Sequence, residues 1–482
     1  MSEVHRVGEA RTGLVVMKFG GTSLEDAAAM LRTAAIVRGR REKGLSPVVV
    51  VSAMAKVTDQ LLAAAAAAGR GDKVGALAIA GRLRNRHIET ASDLLCGELF
   101  AEIEVAIRHE FNSLDDLLRG IAAVGELTPR TSDNVVSYGE RVSSQMVAAA
   151  FVQHEMGGVH VDARTCIVTD DHYGKAAPQE DAIERKLTEL VLPIVKAGQT
   201  PVMGGFIGAT ADGITTTLGR GGSDFTAALV GGGLHAGAIE IWTDVNGIMT
   251  TDPRICADAL RVKTISFEEA AELAYFGAKV LHPATILPAV QKSIPVWVLN
   301  SRNPENEGTK ITAMATPCAS PFKCIAAKKR LTIIDVVASR MLMSHGYLKA
   351  VFDVFDRYHC AIDMVSTSEV SISVTVDSNE RLPEICAELG KIADVKLEGH
   401  KALICMVGED IRGHNGIAGR VFSAIRHVNV RMISQGASEI NMSFMVEESD
   451  VEEAVRSLHA AFFVDPDPTV FDTEAKVVAA KS

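Results

Sequence analysis

The sequence has no C-x-x-C pair, no apolar run long enough to cross a bilayer and no surplus of positive charge. Each absence excludes something. The eight cysteines, at 96, 166, 256, 318, 324, 360, 386 and 405, lack zinc or redox spacing, so they are expected to be buried thiols in a reducing compartment. The longest apolar stretches, residues 61–68 and 146–152, fall far short of the ~20 residues of a spanning helix. Residues 1–13 carry charges and no apolar run, so no signal peptide is expected and the chain should be cytoplasmic. Lys and Arg total 49 against 60 Asp and Glu, and the net charge of -11 argues against nucleic acid as the chief partner.

What is present is globular composition, 47% hydrophobic and 23% charged. At about 150 residues per domain, 482 residues suggest two to four domains. Residues 14–19 read as a buried strand, Gly20-Gly21-Thr22-Ser23 as a turn and 24–40 as a helix. Residues 48–52 read as a second strand, and the Ala-rich region 57–123 as a helical excursion from an α/β core. A helix at 136–156, a strand at 159–162, a helix at 183–196 and a strand at 201–205 follow. After a Gly/Thr-rich turn region come a helix at 223–234 and a strand at 239–243. Strands separated by helices imply an α/β fold, a mostly parallel open sheet with helices on both faces.

Residues 300–323, with Pro304, Gly308 and Pro321, read as a connection. Beyond it the chain repeats itself: Met364-Val365-Ser366 recurs as Met432-Ile433-Ser434, and Ser368-Glu369 as Ser438-Glu439. The period of about 70 residues suits a complete βαββαβ module. The expected boundaries are a catalytic domain at 1–312, a connection at 313–329 and two modules at 330–398 and 399–482.

Four segments carry possible chemistry. Lys18-Phe19-Gly20-Gly21-Thr22-Ser23 ends the first strand, where a glycine turn feeding a helix presents backbone N–H groups to an anion. The lysine precedes the glycines, so this is not a Walker A loop. Leu218-Gly219-Arg220-Gly221-Gly222-Ser223-Asp224 combines a cation, backbone donors, a hydroxyl and a carboxylate in one loop. Trp242-Thr243-Asp244 with Asp252-Pro253-Arg254, and Phe276-Gly277-Ala278-Lys279, add further polar and cationic groups.

These motifs resemble those of aspartate kinases, members of the amino acid kinase superfamily, and the repeated tail resembles their paired ACT domains. The resemblance spans essentially the whole chain. It implies transfer of the ATP γ-phosphoryl group to the side-chain carboxylate of L-aspartate, with Mg²⁺ accompanying ATP. It places Lys18 and Asp224 in catalysis, and Ser52, Thr58, Glu140, Arg220 and Ser223 around aspartate. Lys18, Gly20, Gly21, Thr243, Asp244, Arg254 and Lys279 fall on the nucleotide side. Met341, Gly346, Tyr347, Leu348, Asp363, Thr367 and Ser368 match effector positions. Met343 stands where lysine-inhibited relatives often have histidine, so lysine, threonine or both are expected as effectors. The resemblance also implies a homodimer or dimer of dimers through the ACT modules, and a first step toward lysine, threonine, methionine and diaminopimelate. The length leaves no room for a fused homoserine dehydrogenase, so a monofunctional enzyme is expected. Another carboxylate kinase of the same superfamily, or an amino acid sensor with an inactive kinase domain, are the alternatives.

Overall fold

The computed structural model describes residues 11–276, 285–314, 317–318, 320–337, 346–377 and 381–473. The chain divides into two compact units: Met1–Ile248 with Thr264–Phe267 and Val280–Ala315, and Met249–Lys263 with Glu268–Lys279 and Thr316–Ser482. Among the described residues no helix is long and apolar enough to cross a membrane.

The elements up to residue 315 run β1 (Arg11–Phe19), α1 (Ala27–Glu42), β2 (Ser46–Val51), α2 (Val57–Gly69), α3 (Lys73–Leu94), α4 (Gly97–Val124) and α5 (Pro129–Gln153). Then come β3 (Gly158–Val161), β4 (Val168–Thr169), α6 (Glu180–Leu190), α7 (Leu192–Lys196), β5 (Thr200–Gly204), β6 (Ile207–Thr210) and β7 (Thr215–Thr217). The series ends with α8 (Gly222–Gly233), β8 (Ala236–Thr243), β9 (Thr264–Ser266), α9 (Phe267–Tyr275), α10 (Leu287–Gln291), β10 (Val296–Asn300) and β11 (Thr309–Thr312).

The main sheet has the order β3-β5-β2-β1-β8-β10-β11-β9. Val48 to Val51 are wholly buried, the continuous apolar run required of a strand covered on both faces. β1, β2, β5 and β8 are parallel, and the register aligns Phe19 with Val51 and Trp242, and Val51 with Gly204. All four strands therefore end at one edge, where open α/β sheets bind ligands.

The region expected to be a helical excursion is α2, α3 and α4, packed with α5 through Leu61, Ala64, Leu83, Phe111, Leu114 and Val147. Side chains of Asp72 and Thr128 cap α3 and α5 by accepting from Gly75 N and Thr131 N. The helix expected over 183–196 is two, α6 and α7, because Pro193 lacks the N–H that a continuous helix would use. The Gly/Thr-rich region is an antiparallel hairpin of β6 and β7 with β4 beside it. The expected connection over 300–323 contains β11, paired antiparallel with β10.

The second unit holds β12 (Cys324–Val337), α11 (Tyr347–Arg357), β13 (Met364–Thr367), β14 (Ser371–Val376), α12 (Leu382–Leu389) and β15 (Asp394–Val407). It continues with α13 (Ile417–Ala424), β16 (Met432–Gln435), β17 (Asn441–Glu447) and α14 (Val451–Phe462). The two repeats share one six-stranded sheet, β13-β14-β12-β15-β17-β16. Here the expected boundary needs correction. Residues 324–328 are not connection: Cys324 to Lys328 pair with Val407 to Leu403 and supply the fourth strand of the second module. The region 399–462 has only three strand segments of its own, so the missing one comes from before the first module.

Residues 249–263 and 268–276, expected in the first domain, fold with this second unit. Lys323, wholly buried, pairs with Glu269 at 3.0 Å, Thr250 bonds His459 at 2.9 Å, and Arg261 pairs with Asp472 at 2.8 Å. The cysteines also differ from expectation. All eight are free thiols, yet only Cys166, Cys324 and Cys405 are buried, and Cys96 is exposed. A small side chain on a helix border can stay at the surface without cost.

Candidate active site

The edge formed by β1, β2, β5 and β8 opens into a cavity of about 420 Å³ lined by residues from distant parts of the first unit. Lys18 and Gly21 come from β1 and the following turn, Ser52 to Thr58 from the β2 to α2 turn, Glu140 from α5 and Gly219 to Asp224 from the loop into α8. Of the expected catalytic and aspartate positions, Lys18, Ser52, Thr58, Glu140, Arg220, Ser223 and Asp224 are thus brought together.

Close backbone approach explains the glycines. A Cβ on Gly21 would lie 3.0 Å from the Ala53 carbonyl oxygen, and one on Gly205 only 2.7 Å from Ser223 Cβ. Gly219 and Gly221 have φ of 76° and 72°, left-handed values that a side chain strains. Lys18 Nζ sits 2.7 Å from Asp224 Oδ1, with both side chains partly open to solvent. Ser52 Oγ bonds Ser223 Oγ at 3.0 Å, joining the two loops that face each other. Arg220 is exposed and has no ion-pair partner among the described residues. A guanidinium there is available for a ligand carboxylate or phosphate.

Glu140 is the most perturbed group of the site. Only 3% exposed, it accepts the Ala53 N–H through Oε1 at 3.2 Å, while Oε2 is buried without a hydrogen bond. Burial pushes its pKa up to about 8, and the Ala53 N–H opposes that shift. A carboxylate held this way is poised to ionise when a cation arrives.

Two residues that sequence reasoning passed over support the β2 to α2 turn. Ser143, one helical turn beyond Glu140, donates to Ser52 O at 2.8 Å. Arg86 of α3 donates to Ala55 O at 2.8 Å and to Glu25 O at 2.9 Å, which gives the helical excursion a part in holding the site. Spacing signals the first, since Ser143 lies three residues after Glu140 on one helix face. Nothing local in the sequence signals the second.

The nucleotide-side positions are less gathered. The Gly20 N–H bonds Trp242 O at 3.2 Å, so the first glycine turn adjoins the end of β8. Thr243 and Asp244 follow there, half-buried and exposed, bonded to each other at 3.3 Å. Neither lines the cavity around Lys18. Arg254 belongs to the second unit, where its exposed guanidinium pairs with Asp252 at 2.6 Å. Lys279 lies outside the described residues.

Among effector positions, Gly346 has φ 80° and caps the start of α11, as Gly416 at φ 75° does for α13. Tyr347 carries a buried hydroxyl without a hydrogen bond, and Leu348, Thr367 and Ser368 are exposed. Asp363, expected to meet a ligand ammonium, pairs with Lys328 through Oδ1 at 2.8 Å, and its Oδ2 is buried without a hydrogen bond. Lys328 lies in the stretch read as connection, which is why it was passed over. Met341 and Met343 lie outside the described residues.

The Amino acid kinase family profile matches residues 13–300 and an ACT domain profile matches 404–462. Lysine-sensitive aspartokinase 3 of Escherichia coli (strain K12) is 36% identical over 460 residues, covering 93% of this chain and 99% of that protein. Aspartokinase 3, chloroplastic, of Arabidopsis thaliana is 36% identical over 498 residues, covering 100% and 88%. The crystal structure of E. coli aspartokinase III in complex with aspartate and ADP (R-state) has a TM-score of 0.80 at 36% identity, covering 93% of this chain and 100% of that one. The same enzyme in complex with lysine and aspartate (T-state) gives 0.80 at 35% identity, covering 94% and 100%. The chain belongs to the aspartokinases, within the amino acid kinase family.

Proposed function

We propose that the Lys18 cavity transfers the γ-phosphoryl group of ATP to the side-chain carboxylate of L-aspartate, giving 4-phospho-L-aspartate and ADP. This is the first step of aspartate-family amino acid synthesis, under feedback control through the ACT modules. The observation that carries the reading is the accessible Lys18–Asp224 pair at 2.7 Å beside the unpaired Arg220 and the buried Glu140.

The acceptor carboxylate, with a pKa near ~4, is ionised at neutral pH, so the reaction needs no general base. One carboxylate oxygen attacks the γ-phosphorus as the bond to the β-phosphate oxygen breaks, and ADP leaves with that electron pair. The task of the site is to align two anions and cancel their repulsion. Arg220 pairs with a substrate carboxylate, Glu140 receives the substrate ammonium, and Ser52, Thr58 and Ser223 fix its orientation. Lys18, held by Asp224, faces the transferring phosphoryl group, and the Gly21 N–H faces the phosphates, while Gly20 keeps the turn against the end of β8.

Mg²⁺ accompanies ATP in this reading and neutralises phosphate charge. Among the described residues no group of three or more His, Cys, Asp or Glu could hold a metal. When bound, the ion would be held mainly by phosphate oxygens, with Asp224 the carboxylate beside them. Thr243 and Asp244 are assigned to the nucleotide. The effector is lysine or threonine, alone or together, bound in the 341–348 and 363–368 region. The lysine-sensitive relative favours lysine. Pairing of ACT modules into a homodimer or a dimer of dimers is supported by exposed Leu348 and Val365, at 44% and 41%.

The test is ADP release with L-aspartate, L-glutamate and N-acetyl-L-glutamate as acceptors. Turnover with aspartate alone is expected, and turnover with glutamate but not aspartate would overturn the assignment.

A further inference from the structure

Arg220 lies outside secondary structure, in a loop with two left-handed glycines, yet the proposed reaction needs its guanidinium fixed. The root of that loop is Thr217, the last residue of β7. Three hydrogen bonds from one buried side chain converge close to it. Asp133, 3% exposed in the second turn of α5, accepts from Thr217 N at 2.9 Å, from Thr217 Oγ1 at 2.8 Å and from Gly174 N at 2.8 Å.

The first turn of α5 is capped by Thr128, which accepts from Thr131 N, so Asp133 in the second turn has no capping role. Asp133 instead spends its oxygens on a distant loop. The remaining bonds complete a clamp: Ala176 N donates to Thr217 O at 2.9 Å and Leu218 N to Phe206 O at 2.9 Å. Gly219 follows with so little space that a Cβ would meet the Gly174 carbonyl oxygen at 3.2 Å. Gly174 is thus bonded by Asp133 and packed under Gly219.

Asp133 and Glu140 are seven residues apart on α5, so they lie on one face of the helix. Ser143 extends the same face and holds Ser52 O. One rigid helix therefore sets both walls of the cavity: Glu140 and Ser143 hold the β2 to α2 turn, and Asp133 holds the loop carrying Arg220. Asp133 itself does not line the cavity.

We infer that Asp133 is a positioning residue for aspartate binding, acting through Thr217 to fix the place of Arg220. The inference rests on the proposed role of Arg220.

The test compares KM for aspartate and for ATP in full-length variants, beside melting temperature. D133N can still offer one carbonyl oxygen to the two N–H groups while its NH₂ donates to Thr217 Oγ1, whose hydroxyl can turn to accept. It is expected to stay within about threefold of wild type. D133A should raise KM for aspartate about tenfold or more and leave KM for ATP within twofold. Equal rises in both constants, or none, would overturn the inference. Should D133A fail to fold, T217V and T217S decide: T217V is expected to raise KM for aspartate several-fold and T217S is not, and equality of the two would refute the role. R220A is the control. If R220A leaves KM for aspartate unchanged, the fault lies with the role given to Arg220 and the inference falls with it; if R220A raises KM while D133A and T217V do not, the inference alone falls.

Discussion

Two lysine–carboxylate pairs in this protein have similar geometry and opposite surroundings. Lys18–Asp224 spans 2.7 Å with side chains 12% and 15% exposed, whereas Lys323–Glu269 spans 3.0 Å at 0% and 1%. The first opens onto a cavity, so its lysine can turn to an arriving phosphate. The second is sealed, and Lys323 ties Glu269 of α9 to the start of β12, with Glu409 at 3.8 Å. A charged pair is thus a working device where a ligand can reach it and a tether where none can.

Ways to break that comparison follow in order of size. K18A should lower turnover at least about 100-fold with little change in melting temperature, because the lost group acts on the transition state. Steady-state rates beside a thermal melt check it. K323A should do the reverse, destabilising the protein by about 3 to 5 kcal/mol because it removes the cation from a buried ion pair. The double variant K323M/E269L should recover most of that loss in urea unfolding.

A smaller effect sharpens the role of Glu140. Its carboxyl is pushed up to about 8, so the free site is mainly neutral at pH 7 and gains charge above pH 8. KM for aspartate should therefore fall as pH rises through that value, until the substrate ammonium itself deprotonates. E140Q should have a higher KM that is flat over the same range. The stability sign is opposite. A carboxyl with a raised folded pKa favours folding below its ordinary range and loses that advantage as pH rises from about 4.5 to 8. The melting temperature of E140Q relative to wild type should rise across that window.

The catalytic half of the site was legible because its residues sit where parallel strands end. Lys18 follows the apolar run of β1 and precedes a glycine turn, whereas Ser52 and Thr58 were named only through family resemblance. Arg220 lies in a loop whose glycines are needed for left-handed turns, and Ser223 and Asp224 open the helix that the loop enters. Glu140 was named only through family resemblance, since a Glu-Arg pair on a helix looks like a solvated face, and burial appears only when α5 is packed.

The rest depends on long-range pairing. Arg254 was placed with the first domain, but its segment folds with the second unit through Thr250 and His459, 209 residues apart. The strand Cys324–Lys328 was read as connection because its partner, Leu403–Val407, lies on the far side of an entire module. The pairing of Asp363 Oδ1 with Lys328, from that same misread strand, was not legible either. Each miss has one cause, a contact between segments that no local pattern links.

The claim that the accessible Lys18 pair works on a phosphoryl group bound for aspartate is tested most directly by trapping the product. An acyl phosphate reacts with hydroxylamine to give a hydroxamate. Wild-type enzyme with ATP, Mg²⁺ and L-aspartate should yield aspartyl hydroxamate in step with ADP, and K18A should yield almost none. ADP release without hydroxamate, or K18A turnover within a few-fold of wild type, would contradict the account.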